Sequence, residues 1–258
     1  MERPFVNDIE AFITEFVKSI GGKTVIETVD KQPDFNNADF IFEKENILIE
    51  LKCLEKDLFS DKDFERNERL IDKWLSEGKL RKVDMIPMML GKKQLPKECQ
   101  MELLLLCRNT LQTIIKKGNR QLRETRKQIG NEKTEKVLFI CNDGNYFLSD
   151  ILAFDLINHI HALLPESEID CFVLFTVNQT SRIPNSEIDW SCWMPAYGSK
   201  ASDNLCSFIN DFGKRFHEFY NFKFNITNSE HRVYNDPTTG YEAIREHKHI
   251  PKEIIYKK

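Results

Sequence analysis

Asn37-Ala38-Asp39-Phe40-Ile41-Phe42-Glu43-Lys44-Glu45-Asn46-Ile47-Leu48-Ile49-Glu50-Leu51-Lys52 is a pair of alternating apolar runs separated by a charged break. Period-2 alternation rich in Phe, Ile and Leu is the pattern of β-strands, and a break this short makes the two a hairpin. With Lys44-Glu45 as a two-residue turn, Glu43 pairs with Asn46 and the register follows. Phe42 then faces Ile47, Phe40 faces Ile49 and Ala38 faces Leu51, which gives one wholly apolar face. On the other face Ile41 meets Leu48, Asn37 meets Lys52, and Asp39 lies opposite Glu50. Like charges directly opposed across strands are destabilising without a counter-ion. Hard carboxylate oxygens suit Mg²⁺ or Mn²⁺. Lys52 shares that face, placed to orient or help deprotonate an attacking water. The competing reading is an ordinary hairpin with one solvated face, and Ile41 and Leu48 among the charges argue against it.

This constellation resembles the signature of the PD-(D/E)xK nuclease superfamily, an Asp opening the second core strand followed by Glu-x-Lys on the third. Asp39, Glu50 and Lys52 stand at those positions, with Ala38 where the family usually has Pro. The literal Pro33-Asp34 precedes the strand and falls outside the derived register, a decoy or an auxiliary acid. The resemblance implies an α/β, restriction-endonuclease-like fold: an αβββαβ core whose mixed central sheet is flanked by helices. It implies a nuclease using Mg²⁺, with Mn²⁺ as substitute, that hydrolyses phosphodiester bonds, in DNA ahead of RNA. Asp39, Glu50 and the Leu51 carbonyl would hold the ion and Lys52 would serve the nucleophile. The core would span residues 1–180, with a helical insertion at about 56–96, and 181–258 would be a C-terminal extension packed on the same domain.

The 258 residues, 41% hydrophobic and 30% charged, fit an ordinary globular chain with one sizeable core. No apolar stretch approaches membrane-span length and the N-terminus opens no secretory signal, so no membrane partner and a cytoplasmic location are expected. Seven cysteines without C-x-x-C spacing suit free thiols. A net charge of −4 does not advertise nucleic-acid binding, yet residues 97–140 carry ten Lys/Arg against five Glu.

The apolar positions of 5–20 predict an amphipathic helix stopped by Gly21-Gly22. Glu10 falls on its apolar side and has two readings. It completes a capping box with Asn7 as N-cap, or, under the resemblance, it is the first-helix Glu that joins the metal. Residues 23–29 read as a strand, and 56–95 as a charged, partly helical stretch with Pro87, Gly91 and Pro96 as breakers. Residues 97–129 read as one long helix, or two broken near Gly118. Its buried stripe is Leu104, Leu111, Ile115, Gly118, Leu122, Thr125 and Ile129. Lys117, Gln121, Glu124 and Gln128 flank that stripe, and under the resemblance Gln121 sits beside the catalytic strands. Lys116, Arg120, Arg123 and Lys127 point outward and, with Lys117, are candidate phosphate contacts; the alternative is a solvated charged face. A strand at 136–141, a helix at 148–163 and a strand at 171–177 follow. Beyond them Trp190, Trp193 and Tyr197 are core, a dimer surface, or stacking platforms for unpaired bases, and a homodimer stays open. His159/His161 and His247/His249 lack a third ligand at zinc spacing. A catalytically inactive nucleic-acid-binding protein and a ribonuclease with the same site are the functional alternatives.

Overall fold

The computed structural model describes residues 5–28, 37–54, 64–89, 92–143, 150–164, 166–182, 189–227 and 246–249. Asp34 lies outside them. The hairpin forms in the derived register: β2 (Phe40–Phe42) pairs with β3 (Ile47–Cys53) through Phe40–Ile49, Ile41–Leu48 and Phe42–Ile47. The turn that closes it includes Asn46 at φ 57°, a left-handed conformation that Asn tolerates well.

The hairpin is part of a six-stranded open sheet. Its other members are β1 (Lys23–Thr24), β4 (Glu135–Asn142), β5 (Cys171–Thr176) and β8 (Trp193–Tyr197), in the order β1-β2-β3-β4-β5-β8. Strands β3, β4 and β5 run parallel, while β1, β2 and β8 are antiparallel to their neighbours. A mixed sheet of this kind is buried on both faces. One is covered by α1 (Ile9–Ser19) and α6 (Asp203–Lys223) through an aromatic core that includes Phe12, Phe16, Phe42, Phe139, Phe212 and Phe216. The other is covered by α4 (Lys97–Ile129) and α5 (Asp150–Ala162), whose Leu111, Ile115, Leu122 and Ile157 pack on Ile41, Leu48, Leu138 and Leu174. The face that carries Asp39 and Glu50 is therefore roofed by helices. A solvated hairpin face is excluded.

Several expectations change. The strand at 23–29 shrinks to two residues, and Val25–Thr28 forms a 3-10 turn. The Thr24 N–H donates to Glu27 Oε2 at 3.0 Å, a local bond that competes with the ladder. The first helix is capped by Asp8 and not Asn7: Asp8 Oδ1 accepts from the Ala11 N–H at 2.8 Å. Helix 97–129 is continuous, and Gly118 serves a close approach, since a Cβ there would lie 2.7 Å from Leu138 Cδ1. Pro87 does not break the chain but lies inside α3 (Lys82–Met89). Trp74 of α2 (Phe64–Ser76), Leu80 of the connection and Met85 and Met88 of α3 pack on Cys99 and Leu103 of α4, making a helical annex.

Residues beyond 180 contribute to the core. Strand β8 extends the main sheet and α6 covers it. Trp193 stacks on Phe212 with centroids 5.7 Å apart, so it is a core residue and not a platform for bases. Three short strands, β6 (Gln179–Arg182), β7 (Asp189–Trp190) and β9 (Glu246–His249), form a second sheet. None of the seven cysteines, all among the described residues, is in a disulfide. Among the described residues no helix is long and apolar enough to cross a membrane.

Candidate active site

The site forms where β2 leaves the sheet. The Asp39 N–H still donates to the Ile49 carbonyl at 3.1 Å, but the residues before it turn toward α4. There the Ala38 N–H donates to Thr125 Oγ1 at 2.7 Å, and Gln121 Nε2 donates to the Asn37 carbonyl at 3.2 Å. This pull moves Ala38 into the cluster under α4, which corrects its expected place opposite Leu51 on the aromatic face. It also leaves the Leu51 N–H without a strand partner, and Asp39 fills the gap: its Oδ2 accepts from Leu51 N–H at 2.7 Å. Asp39 is thereby fixed at the lip of β3, beside Glu50.

Glu50 is 0% exposed, on a strand with a neighbour on each side and under α4. Its Oε1 accepts from the Lys52 ammonium, whose side chain is 18% exposed. Its Oε2 has no hydrogen-bond partner. An ionised carboxylate oxygen left dry and unpaired is costly, so the group responds by holding its proton. Burial first, and then the charge of Asp39, push Glu50 up to about 8, against the opposing pull of Lys52. Burial also raises Asp39, opposed by the Leu51 N–H and by the charges of Lys52 and Lys117. Both carboxyls are thus pushed toward their neutral forms, Glu50 the further of the two. That is the behaviour of paired acids brought together without a counter-ion.

No family model, curated protein or solved structure matches this chain. Its chemistry is read from its own geometry. The structure brings Asp39, Glu50, Lys52 and the Leu51 backbone together in one place. Gln121 is buried beneath α4 and reaches the same loop through Asn37, with its Oε1 unpartnered. Lys117, exposed one turn earlier, acts on Asp39 through its charge. Lys116, Arg120 and Lys127 are exposed and Arg123 is half-buried, as an outward stripe requires.

Glu10 is not brought to the group. It is exposed in the first turn of α1, which packs on the opposite, aromatic face of the sheet. Two residues of the site were not singled out from the sequence. Thr125 was read only as part of a buried stripe, although a hydroxyl in such a stripe signals a backbone partner. Asn37 contributes its carbonyl, for which no side-chain pattern exists. Among the described residues no group of three or more His, Cys, Asp and Glu side chains is placed to hold a metal. The donors on offer are two carboxylates, one with an oxygen to spare, and the backbone edge of Leu51. That set fits a hard ion that keeps several waters, as Mg²⁺ does.

Proposed function

We propose that this chain is a Mg²⁺-dependent nuclease of the PD-(D/E)xK type with a restriction-endonuclease-like core, acting on DNA ahead of RNA. The observation that carries the reading is Glu50: a fully buried carboxyl with one oxygen unpartnered, beside Asp39 and Lys52. The element order supports it, since a helix, three strands, a crossover through α2, α3 and α4, and a parallel strand follow one another around the site.

Asp39, Glu50 and the carbonyl of Leu51 would hold the ion. Strand backbones alternate, so this carbonyl shares the free edge on which the Leu51 N–H meets Asp39. The ion, when bound, supplies positive charge that acidifies water and neutralises phosphate oxygens. Lys52 occupies the remaining open side of the cluster, where its ammonium orients the nucleophile and offsets charge that builds on the phosphoryl group. Gln121 holds the Asn37–Asp39 turn and so positions Asp39. The stripe Lys116, Arg120, Arg123 and Lys127, with Lys117, lies on the same helix and gives the phosphate backbone a track toward the site.

A second reading has an observation in its favour. Lys52 already partners Glu50 Oε1 without any ion, as a nucleic-acid-binding protein without catalysis would require. One experiment separates the two. The purified protein is incubated with supercoiled, linear and single-stranded DNA and with RNA, in Mg²⁺, Mn²⁺ or EDTA, beside Glu50→Gln and Lys52→Ala. Cutting that needs the ion and is lost in both variants is expected. Cutting that persists in EDTA or in the variants overturns the site, and binding without cutting in any metal selects the second reading.

A further inference from the structure

The N-terminal half of α4 extends away from the sheet, and it is apolar on more sides than the annex can cover. Residues 103–107 are Leu-Leu-Leu-Leu-Cys, and Met101 precedes them with only Glu102 between. Cys99 and Leu103 turn inward under α2 and α3. Met101 and Leu105 remain 57% and 47% exposed on the outer side. A helix hydrophobic around its circumference is normally covered on all sides.

The uncovered residues have a spacing. Glu98, Met101, Leu105, Arg108 and Gln112 follow one another at intervals of three and four, the a/d seam of a helix pair. The seam ends at Gln112, because the next position is Ile115, buried against the sheet. Its ends carry opposite charges, Glu98 in the first turn of α4 and Arg108 near the far end. Glu98 is exposed, and Arg108 is half-buried with its Nε shielded from solvent and without a hydrogen-bond partner. The shielded Nε is out of reach from outside; what calls for a partner is the charge of the half-buried Arg108, the opposite charge of exposed Glu98 and the apolar pair between them.

We propose that α4 pairs with α4 of a second copy, antiparallel, about a two-fold axis near residue 103. In that register Met101 meets Leu105 of the other copy, and Glu98 meets Arg108, each contact occurring twice. This self-complementarity argues for a second copy as the occupant: an isologous interface needs one patch that satisfies itself on reversal. Two apolar contacts and two ion pairs across the axis place the contact at the small end of specific interfaces, below about 1,200 Å², so the dimer is a weak one. Gln121 lies 18 residues from the axis, roughly 27 Å along the helix at 1.5 Å per residue. The two catalytic clusters are therefore far apart and independent, and this pairing stands or falls separately from the nuclease reading.

The test is mass measurement of the full chain by sedimentation in the analytical ultracentrifuge across a wide range of concentration, with circular dichroism to confirm that each variant folds. The wild type is expected to pass from monomer to dimer. Leu105→Glu is expected to remain monomeric. Glu98→Arg and Arg108→Glu should each weaken the dimer by about tenfold or more, and the double variant, which restores the pair with its signs exchanged, should recover most of the loss. A wild type that stays monomeric at every concentration, a dimer indifferent to Leu105→Glu, or a double variant no better than the singles overturns the proposal.

Discussion

At Glu50, burial and the adjacent Asp39 both favour the neutral acid, and the sign of the resulting pH dependence follows. Unfolded, the group ionises near 4.5; folded, near 8. Between those values the unfolded chain has released a proton that the folded chain keeps, so stability falls as pH rises through this window and levels off above it. At about 1.4 kcal/mol per unit, the cost above pH 8 is on the order of a few kcal/mol. Glu50→Gln removes the ionisation, so in the metal-free protein it should be more stable than wild type at pH 9 and nearly equal at pH 5. Urea unfolding at the two pH values measures this; equal differences at both would mean that Glu50 is not the strained acid. Mg²⁺ should act in the opposite sense to the proton. It should raise the melting temperature of wild type more at pH 8.5 than at pH 6, and leave Glu50→Gln almost unmoved, since a ligand stabilises only the state that binds it.

Among the elements, α4 sets the geometry of the site from above, and two of its residues show how. Thr125 accepts the Ala38 N–H that β2 can no longer give to the sheet. Thr125→Val keeps the shape and leaves that buried donor unpaired, at a cost of about 1–3 kcal/mol. Because the turn also carries Asp39, cleavage should fall along with stability. Gly118 lets the helix rest on Leu138, the β4 residue paired with Glu50. Gly118→Ala would gain about 1 kcal/mol of helix propensity but must displace a fully buried leucine, an overpacking cost of about 1–3 kcal/mol. A net loss of stability is expected from denaturant titration, and a gain would mean that the helix can lift without strain.

The same elements show what was legible in the sequence. The hairpin register followed from the turn at Lys44-Glu45 together with alternation, because a slip of one residue would have sent Phe40, Phe42 and Ile49 to the other face. The long helix followed from its stripe, which holds from Leu111 to Thr125; Ile129 is exposed, and in place of Leu104 the buried residues are Leu103 and Cys107. Where β2 departs from the sheet, alternation stops being informative, and Ala38 changed sides for the sake of a hydrogen bond to a residue 87 positions away. Strand β8 was hidden by Pro195 within Trp193–Tyr197, which only an edge strand tolerates. Glu10 has the spacing of a buried residue, yet it sits in the first turn of α1 and escapes to solvent.

Across the whole molecule, the acidic balance of the chain and the basic outer stripe of α4 act against each other, and salt decides between them. A net charge of −4 repels a polyanion at long range, whereas Lys116, Arg120, Arg123 and Lys127 attract it locally along one helix. Local contacts release condensed counterions, and each one adds about 0.9 to the slope of log affinity against log salt on duplex DNA, and about 0.7 on single strands. Changing Lys116 and Arg120 to Gln should therefore weaken binding alike for all sequences and flatten the slope by nearly two such increments. It should leave Mg²⁺-induced stabilisation unchanged, since neither side chain reaches the carboxyls. Fluorescence anisotropy with a labelled duplex, in Ca²⁺ to hold cleavage back, reads the slope directly. An unchanged slope would place the polyanion elsewhere on the molecule and return the stripe to the role of a solvated helix face. The carboxyl pair beneath α4 would keep its own titration either way, because burial, the neighbouring carboxyl, Lys52 and Lys117 set its proton balance, and Lys116 and Arg120 are not among them.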